Sequence, residues 1–253
     1  MPVKNLKIFH TADIQIEVRN SAQRYDEFEY MLNLMVQSIS EEHPDIVVIA
    51  GDITEFCTPN ATEIKLFLDF LDNVRGTDSV KEIVVIKGNH DIQQRSSLNW
   101  FVKGEQKTTV PDVLDTILES VNIPELLYCP KSLFYHSNVF DGFGYLVWSQ
   151  KHKFEVESSD GEQLQYNPKE NCKVPEGYEY ITLFHDCIKN AVNFDGKAVR
   201  NSGTKPDCED LGFTGLVLAG DIHQHSVIDE SKYKFTYCGS PVPRDFGEGS
   251  YFH

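Results

Sequence analysis

Hydrophobic positions along the chain follow two rhythms. Short apolar runs close on polar residues in "LKIFHTAD", "DIVVIAGD", "EIVVIKGNHD", "YITLFHD" and "GLVLAGDIH". Unbroken runs of about five residues fit strands of a sheet covered on both faces. Between the first two runs Phe28, Leu32, Met35 and Ile39 recur at helical spacing. Between the second and third, Ile64, Phe67, Leu71 and Val74 do the same, after Pro59 and Asn60 supply a helix start. The opening therefore reads βαβαβ. Later the pattern changes: "SLFYHSNVFDGFGYLVW" predicts a hairpin turning at Asp141 and Gly142, and "SVIDESKYKFTYCGSP" a second one turning at 229–232. The stretches 151–180 and 189–212 are polar and turn-rich and are expected as long surface loops.

The chemistry sits where the apolar runs stop. Asp13, Asp52, Asn89 with His90, His185, and His223 with His225 close the five runs in turn. In α/β folds functional groups collect beyond the carboxyl ends of strands, so these five ends can meet at one site. Taken singly, a strand-end Asp reads as a helix cap and a His as a packed residue; the case rests on all five together. Carboxylates, an amide oxygen and imidazoles form the mixed O/N set that suits Mn²⁺, Fe²⁺ or Zn²⁺, with enough ligands for two ions.

Composition narrows the picture. The chain has 253 residues, 40% of them hydrophobic, enough for a sizeable core. No apolar run reaches the ~18 residues of a membrane span. The start carries no signal-peptide pattern, so an intracellular, cytoplasmic location is expected. Six cysteines are scattered without a CxxC pair, which points to neither a zinc ribbon nor a disulfide framework. The formal net charge of -16 repels polyanions at long range. Any nucleic-acid binding then needs bound cations, a local basic patch or a partner.

The blocks "ADIQ", "AGD", "GNHD", "FHD" and "GDIHQH" resemble, in order and spacing, the D-x-H, G-D, G-N-H-D/E, H and G-H-x-H signature of calcineurin-like metallophosphoesterases. "GDITEFCTP" and "YCGSPVPRDFGE" resemble more narrowly the SbcD-type DNA-repair nuclease subunit, including its counterparts in large bacteriophages. The resemblance implies one four-layer α/β/β/α sandwich over residues 1–253, with two divalent ions, Mn²⁺ foremost. Asp52 would bridge them, with Asp13 and His225 completing the first site and Asn89, His185 and His223 the second. His90 would stand free of metal as proton donor or charge stabiliser at the leaving oxygen, with Asp91 orienting it. The implied partners are DNA and an SbcC-type coiled-coil ABC ATPase, with a homodimer as a further expectation.

Two positions depart from the pattern. Gln15 stands where the family has histidine, and its carbonyl oxygen would be a weaker, neutral ligand. Asp221 sits in the last block as an expected acceptor for His223 or a plain strand-end carboxylate. After "FGEGSYFH" neither the capping domain nor the ATPase-gripping helices of SbcD-type proteins is expected. His10 is expected to be packed, and His43, His136, His152 and His253 carry no assigned role. Arg95, Trp100, Lys103 and Lys107 form a loop that would meet a phosphate backbone or stack on a base, or else simply lie in solvent; Arg244 would contact acidic or backbone groups. Two other readings stand beside the nuclease: a metallophosphoesterase for a small phosphodiester or phosphoprotein, and a metal-poor partner-binding scaffold disabled at Gln15.

Overall fold

The first sheet grows from the βαβαβ opening. In the computed structural model, which describes residues 5–19, 22–92, 112–149, 156–157, 163–164, 173–189, 191 and 208–242, strand β1 (Ile8–Thr11) leads through helix α1 (Ala22–Glu42) to β2 (Ile46–Ala50). Helix α2 (Ala61–Arg75) leads to β3 (Glu82–Ile86), and α3 (Val113–Leu118) precedes β4 (Leu126–Cys129). These strands pair in the order β1-β2-β3-β4, all parallel. Helix α2 starts as its sequence suggests: the Asn60 side chain accepts from the N–H groups of Thr62 and Glu63, and Glu63 accepts from the Asn60 N–H in return. Glu63 also accepts from the Val18 N–H at 3.1 Å, so the cap fastens α2 to the segment after β1. Asn60→Ala should therefore cost about 1 kcal/mol of stability in denaturant unfolding. Metal content, measured on the same protein, should not change.

The second sheet combines β5 (Phe134–His136), β6 (Phe143–Ser149), β9 (Glu179–His185), β10 (Gly215–Gly220), β11 (Ser226–Asp229) and β12 (Tyr233–Tyr237) in the order β11-β12-β10-β9-β6-β5. Its four inner strands run parallel, and the antiparallel edge strands come from the two predicted hairpins. A separate ribbon pairs β7 (Val156–Glu157) with β8 (Gln163–Leu164).

Strand alternation assigns each residue to a layer. Ile46, Val48 and Ala50 of β2, with Val84 and Ile86 of β3, pack against Tyr145, Val147, Ile181, Leu183 and Leu218 of the second sheet. Val47, Ile49, Ile83 and Val85 point the other way, onto Phe28, Leu32, Met35 and Ile39 of α1 and Phe67, Phe70, Leu71 and Val74 of α2. This is why the runs are continuous rather than alternating: both faces of the first sheet are covered. On the far side of the second sheet Phe184, Val217, Phe235 and Tyr237 meet Cys187, Ile188, Phe213 and the short helix α4 (Cys208–Leu211). The architecture is the expected α/β/β/α sandwich, with a thin fourth layer among the described residues.

Two expectations need correcting. The stretch 189–212 is not all surface loop, since Cys208 and Leu211 are buried against the second sheet. In α2, Ile64 is only half-buried while Leu66 and Phe70 are buried, which places the core-facing stripe slightly differently from the predicted one.

Candidate metal centre

At the carboxyl end of the first sheet the chain turns sharply. Asp13, Gln15 and Asp52 all adopt left-handed backbone angles (φ 53°, 48° and 52°), as does Asp221 at the end of β10 (φ 91°). Such conformations are uncommon outside glycine and persist only where the surroundings over-determine them. Here the loops after β1 and β2 are hydrogen-bonded to one another. The N–H groups of Asp13, Gln15 and Ile16 donate to the carbonyls of Gly51, Asp52 and Ile53 at 3.0, 2.9 and 3.0 Å. The second sheet joins at the same place, where the Asp221 N–H donates to both carboxylate oxygens of Asp13 at 3.0 and 3.1 Å.

His185, the last residue of β9, is fully buried between the sheets. Its Nδ1–H donates to the Ala50 carbonyl at 2.6 Å, which fixes the tautomer and turns Nε2 toward Asn89 Oδ1 at 3.2 Å and Asp52 Oδ1 at 3.3 Å. Space for the ring depends on glycine. A Cβ on Gly88 would lie 2.1 Å from Asp52 Oδ1 and 2.6 Å from His185 Nε2, and one on Gly220 would lie 2.7 Å from His185 Nδ1.

One ligand atom each from Asp13, Asp52 and His185 lie within 4.8 Å of one another, and all three residues are buried. Burial, above all, holds the Asp13 carboxyl pKa well above its ordinary value. Burial also opposes charge on Asp52, but neighbouring His185 outweighs it and lowers that pKa. Burial opposes charge on His185 as well, yet Asp52 and then Asp13 hold the imidazole well above its ordinary value. The pocket thus demands positive charge. With Nδ1 committed to Ala50, the lone pairs of His185 Nε2, Asn89 Oδ1 and Asp52 face one another, and a divalent cation meets that demand with the donor types such ions prefer. The residues fit a metal.

His90 lies at the rim, half-buried. Its backbone N–H donates to Asp52 Oδ1 at 2.8 Å and its Nδ1–H to the Glu55 carbonyl at 2.7 Å, leaving Nε2 3.9 Å from Asp52 Oδ2. Asp91, expected to orient this ring, has its hydrogen bonds on the backbone. The buried Asp91 carboxylate accepts from the backbone N–H groups of Ile53 (3.0 Å), Thr54 (3.3 Å) and Gly88 (2.9 Å). Burial, then the charge of Asp52, raises its pKa to about 7. Asp91 clamps the loops after β2 and β3, and Glu55 is the direct partner of His90. Sequence reasoning missed Glu55 because its contribution is a backbone carbonyl.

Other expected ligands are placed differently. Gln15 presents its amide nitrogen, not its carbonyl oxygen, to the site: Nε2 donates to Asp52 Oδ2 at 3.4 Å. A carboxylate oxygen only accepts, so the NH₂ end must face it. His223 is half-buried and His225 exposed, and neither joins the group of mutually close ligand atoms among the described residues. His10 is packed as expected: both ring nitrogens are buried without a hydrogen-bond partner, and burial, then His225, lowers its pKa to about 3. Arg95, Trp100, Lys103, Lys107, His152, Arg244 and His253 lie outside the described residues.

Sequence reasoning also missed Lys87. Its buried ammonium contacts Asp112 at 2.9 Å and Asp115 at 2.8 Å, and the Tyr128 hydroxyl donates to Asp115 at 2.6 Å. Burial opposes the charge, but the two carboxylates outweigh it and raise the Lys87 pKa. This ion cluster fixes the end of β3 immediately before Gly88, Asn89 and His90. The available signal was a lysine closing an otherwise apolar run.

A two-sheet sandwich with buried Asp13, Asp52 and His185 and half-buried Asn89 at the strand ends defines a metal-dependent phosphoesterase. The family described as calcineurin-like phosphoesterase matches residues 6–225, and the chain belongs to it. Among the described residues no helix is long and apolar enough to cross a membrane.

Proposed function

We propose that the protein is a Mn²⁺-dependent phosphodiesterase acting on DNA: a cytoplasmic nuclease subunit of SbcD type that works with an SbcC-type coiled-coil ABC ATPase in repair or recombination. The observation that carries the hydrolytic part is the convergence of Asp13, Asp52 and His185 within 4.8 Å, with Asn89 Oδ1 beside the imidazole. Family membership supports phosphoester hydrolysis. The nuclease role is supported by the resemblance of "GDITEFCTP" and "YCGSPVPRDFGE" to SbcD-type proteins.

Asp13, Asp52, Asn89 and His185 would hold the metal, which when bound supplies Lewis acidity toward a phosphoryl oxygen and lowers the pKa of water. The remaining chemistry belongs to side chains. The Glu55 carbonyl holds His90 by Nδ1–H, so at the open edge of the site a departing oxygen would take its proton from Nε2 of the imidazolium form, which returns to the neutral Nδ1–H tautomer. Asp91 keeps the two supporting loops together, which spares the reacting groups a reorganisation during the reaction.

A net charge of -16 favours a second reading, a small phosphodiester as substrate, because repulsion of a polyanion then costs nothing. The test is hydrolysis of single- and double-stranded DNA beside bis(4-nitrophenyl) phosphate, with Mn²⁺ and after chelation. Cleavage of DNA that chelation removes is the expected result. Turnover of the chromogenic diester alone would favour the small-substrate reading, and no turnover of either would leave the partner-binding scaffold.

A further inference from the structure

We infer that this chain holds one divalent cation rather than the pair implied by its family resemblance, and that Gln15 closes the second position. The inference rests on the metal-dependent reading and concerns how many ions the site takes. Asp52 would have to bridge two ions through its two carboxylate oxygens. Oδ1 accepts the His90 N–H at 2.8 Å and faces His185 Nε2 at 3.3 Å, on the side where Asn89 also lies. Oδ2 faces the Gln15 amide, 3.4 Å from Nε2. The second ion would approach Oδ2, and there the chain offers an N–H donor in place of a lone pair.

Gln15 is poorly placed to leave. It is buried, its backbone is left-handed at φ 48°, and its N–H is bound to the Asp52 carbonyl at 2.9 Å. Recruiting it as a ligand requires turning the carboxamide end for end, which breaks its bond to Asp52. The other ligand expected for that position, His225, is exposed and outside the ligand group.

The test is a titration of Mn²⁺ into metal-free protein, followed by mass-spectrometric metal analysis and low-temperature electron paramagnetic resonance. The wild type should bind one ion per chain and show the spectrum of an isolated Mn²⁺. Gln15→His, which replaces the N–H donor by an imidazole lone pair, should bind two ions and show a spin-coupled spectrum. Gln15→Ala should remain at one ion, since it removes the donor without supplying a ligand. A coupled two-ion spectrum in the wild type would overturn the inference, as would Gln15→His remaining at one. No bound Mn²⁺ in the wild type would overturn the metal-dependent reading itself, so the two failures are distinguishable.

Discussion

Asp52→Ala is expected to abolish both metal binding and hydrolysis. Asp52 is the residue on which the site converges: its oxygens face His185 Nε2 at 3.3 Å and Gln15 Nε2 at 3.4 Å, and accept the His90 N–H at 2.8 Å. Losing a partner that merely orients a ligand costs ~10–100-fold in metal affinity, and losing the ligand itself should cost more. The effect is visible without an activity assay. At a free Mn²⁺ concentration of about 100 times Kd, binding adds about 2.7 kcal/mol to the stability of the wild type. Melting curves with and without Mn²⁺ should therefore separate for the wild type and coincide for Asp52→Ala. Wild-type metal stoichiometry in the variant would show that Asp52 is not the central ligand.

His90→Asn separates chemistry from binding. The His90 ring is outside the ligand group, and its backbone N–H bond to Asp52 survives the substitution. Metal content should stay close to that of the wild type, while turnover on DNA falls by ~10²-fold or more, the usual range for losing a general acid. The loss should depend on the leaving group. A sugar alkoxide needs a proton as it departs, whereas 4-nitrophenolate is stable without one, so the chromogenic diester should lose far less activity than DNA. Equal losses on both substrates would make His90 a charge stabiliser instead of a proton donor. A parallel fall in bound metal would make it a ligand.

Much of the scaffold was legible in the chain because its cause is local. Residues 46–50 and 82–86 are continuously apolar, and in the structure both faces of those strands are covered. Pro59 and Asn60 mark the start of α2, where Asn60 is the N-cap, and the turn at Asp141 and Gly142 joins β5 to β6. The candidate site was legible as a set of residue types, since Asp13, Asp52, Asn89 and His185 each stand where an apolar run ends. Strand β4 and helices α3 and α4 were not anticipated: they are short, and α4 sits in a polar stretch whose buried Cys208 and Leu211 give no clear period.

What only the tertiary structure decided is the direction in which each polar side chain points. The sign of φ at Asp13, Gln15 and Asp52 is set by hydrogen bonds between two loops, and the Asp13 carboxylate is oriented by a backbone N–H 208 positions away. Asp91 turns to three backbone amides, and Gln15 turns its nitrogen to Asp52, because donors and acceptors brought together by folding must be satisfied when buried. Residue type and periodicity are properties of the chain and determine which strands form and which donors they carry. Whether a given atom faces a metal, an amide or solvent depends on partners that are distant in sequence, and those exist only once the two sheets have packed.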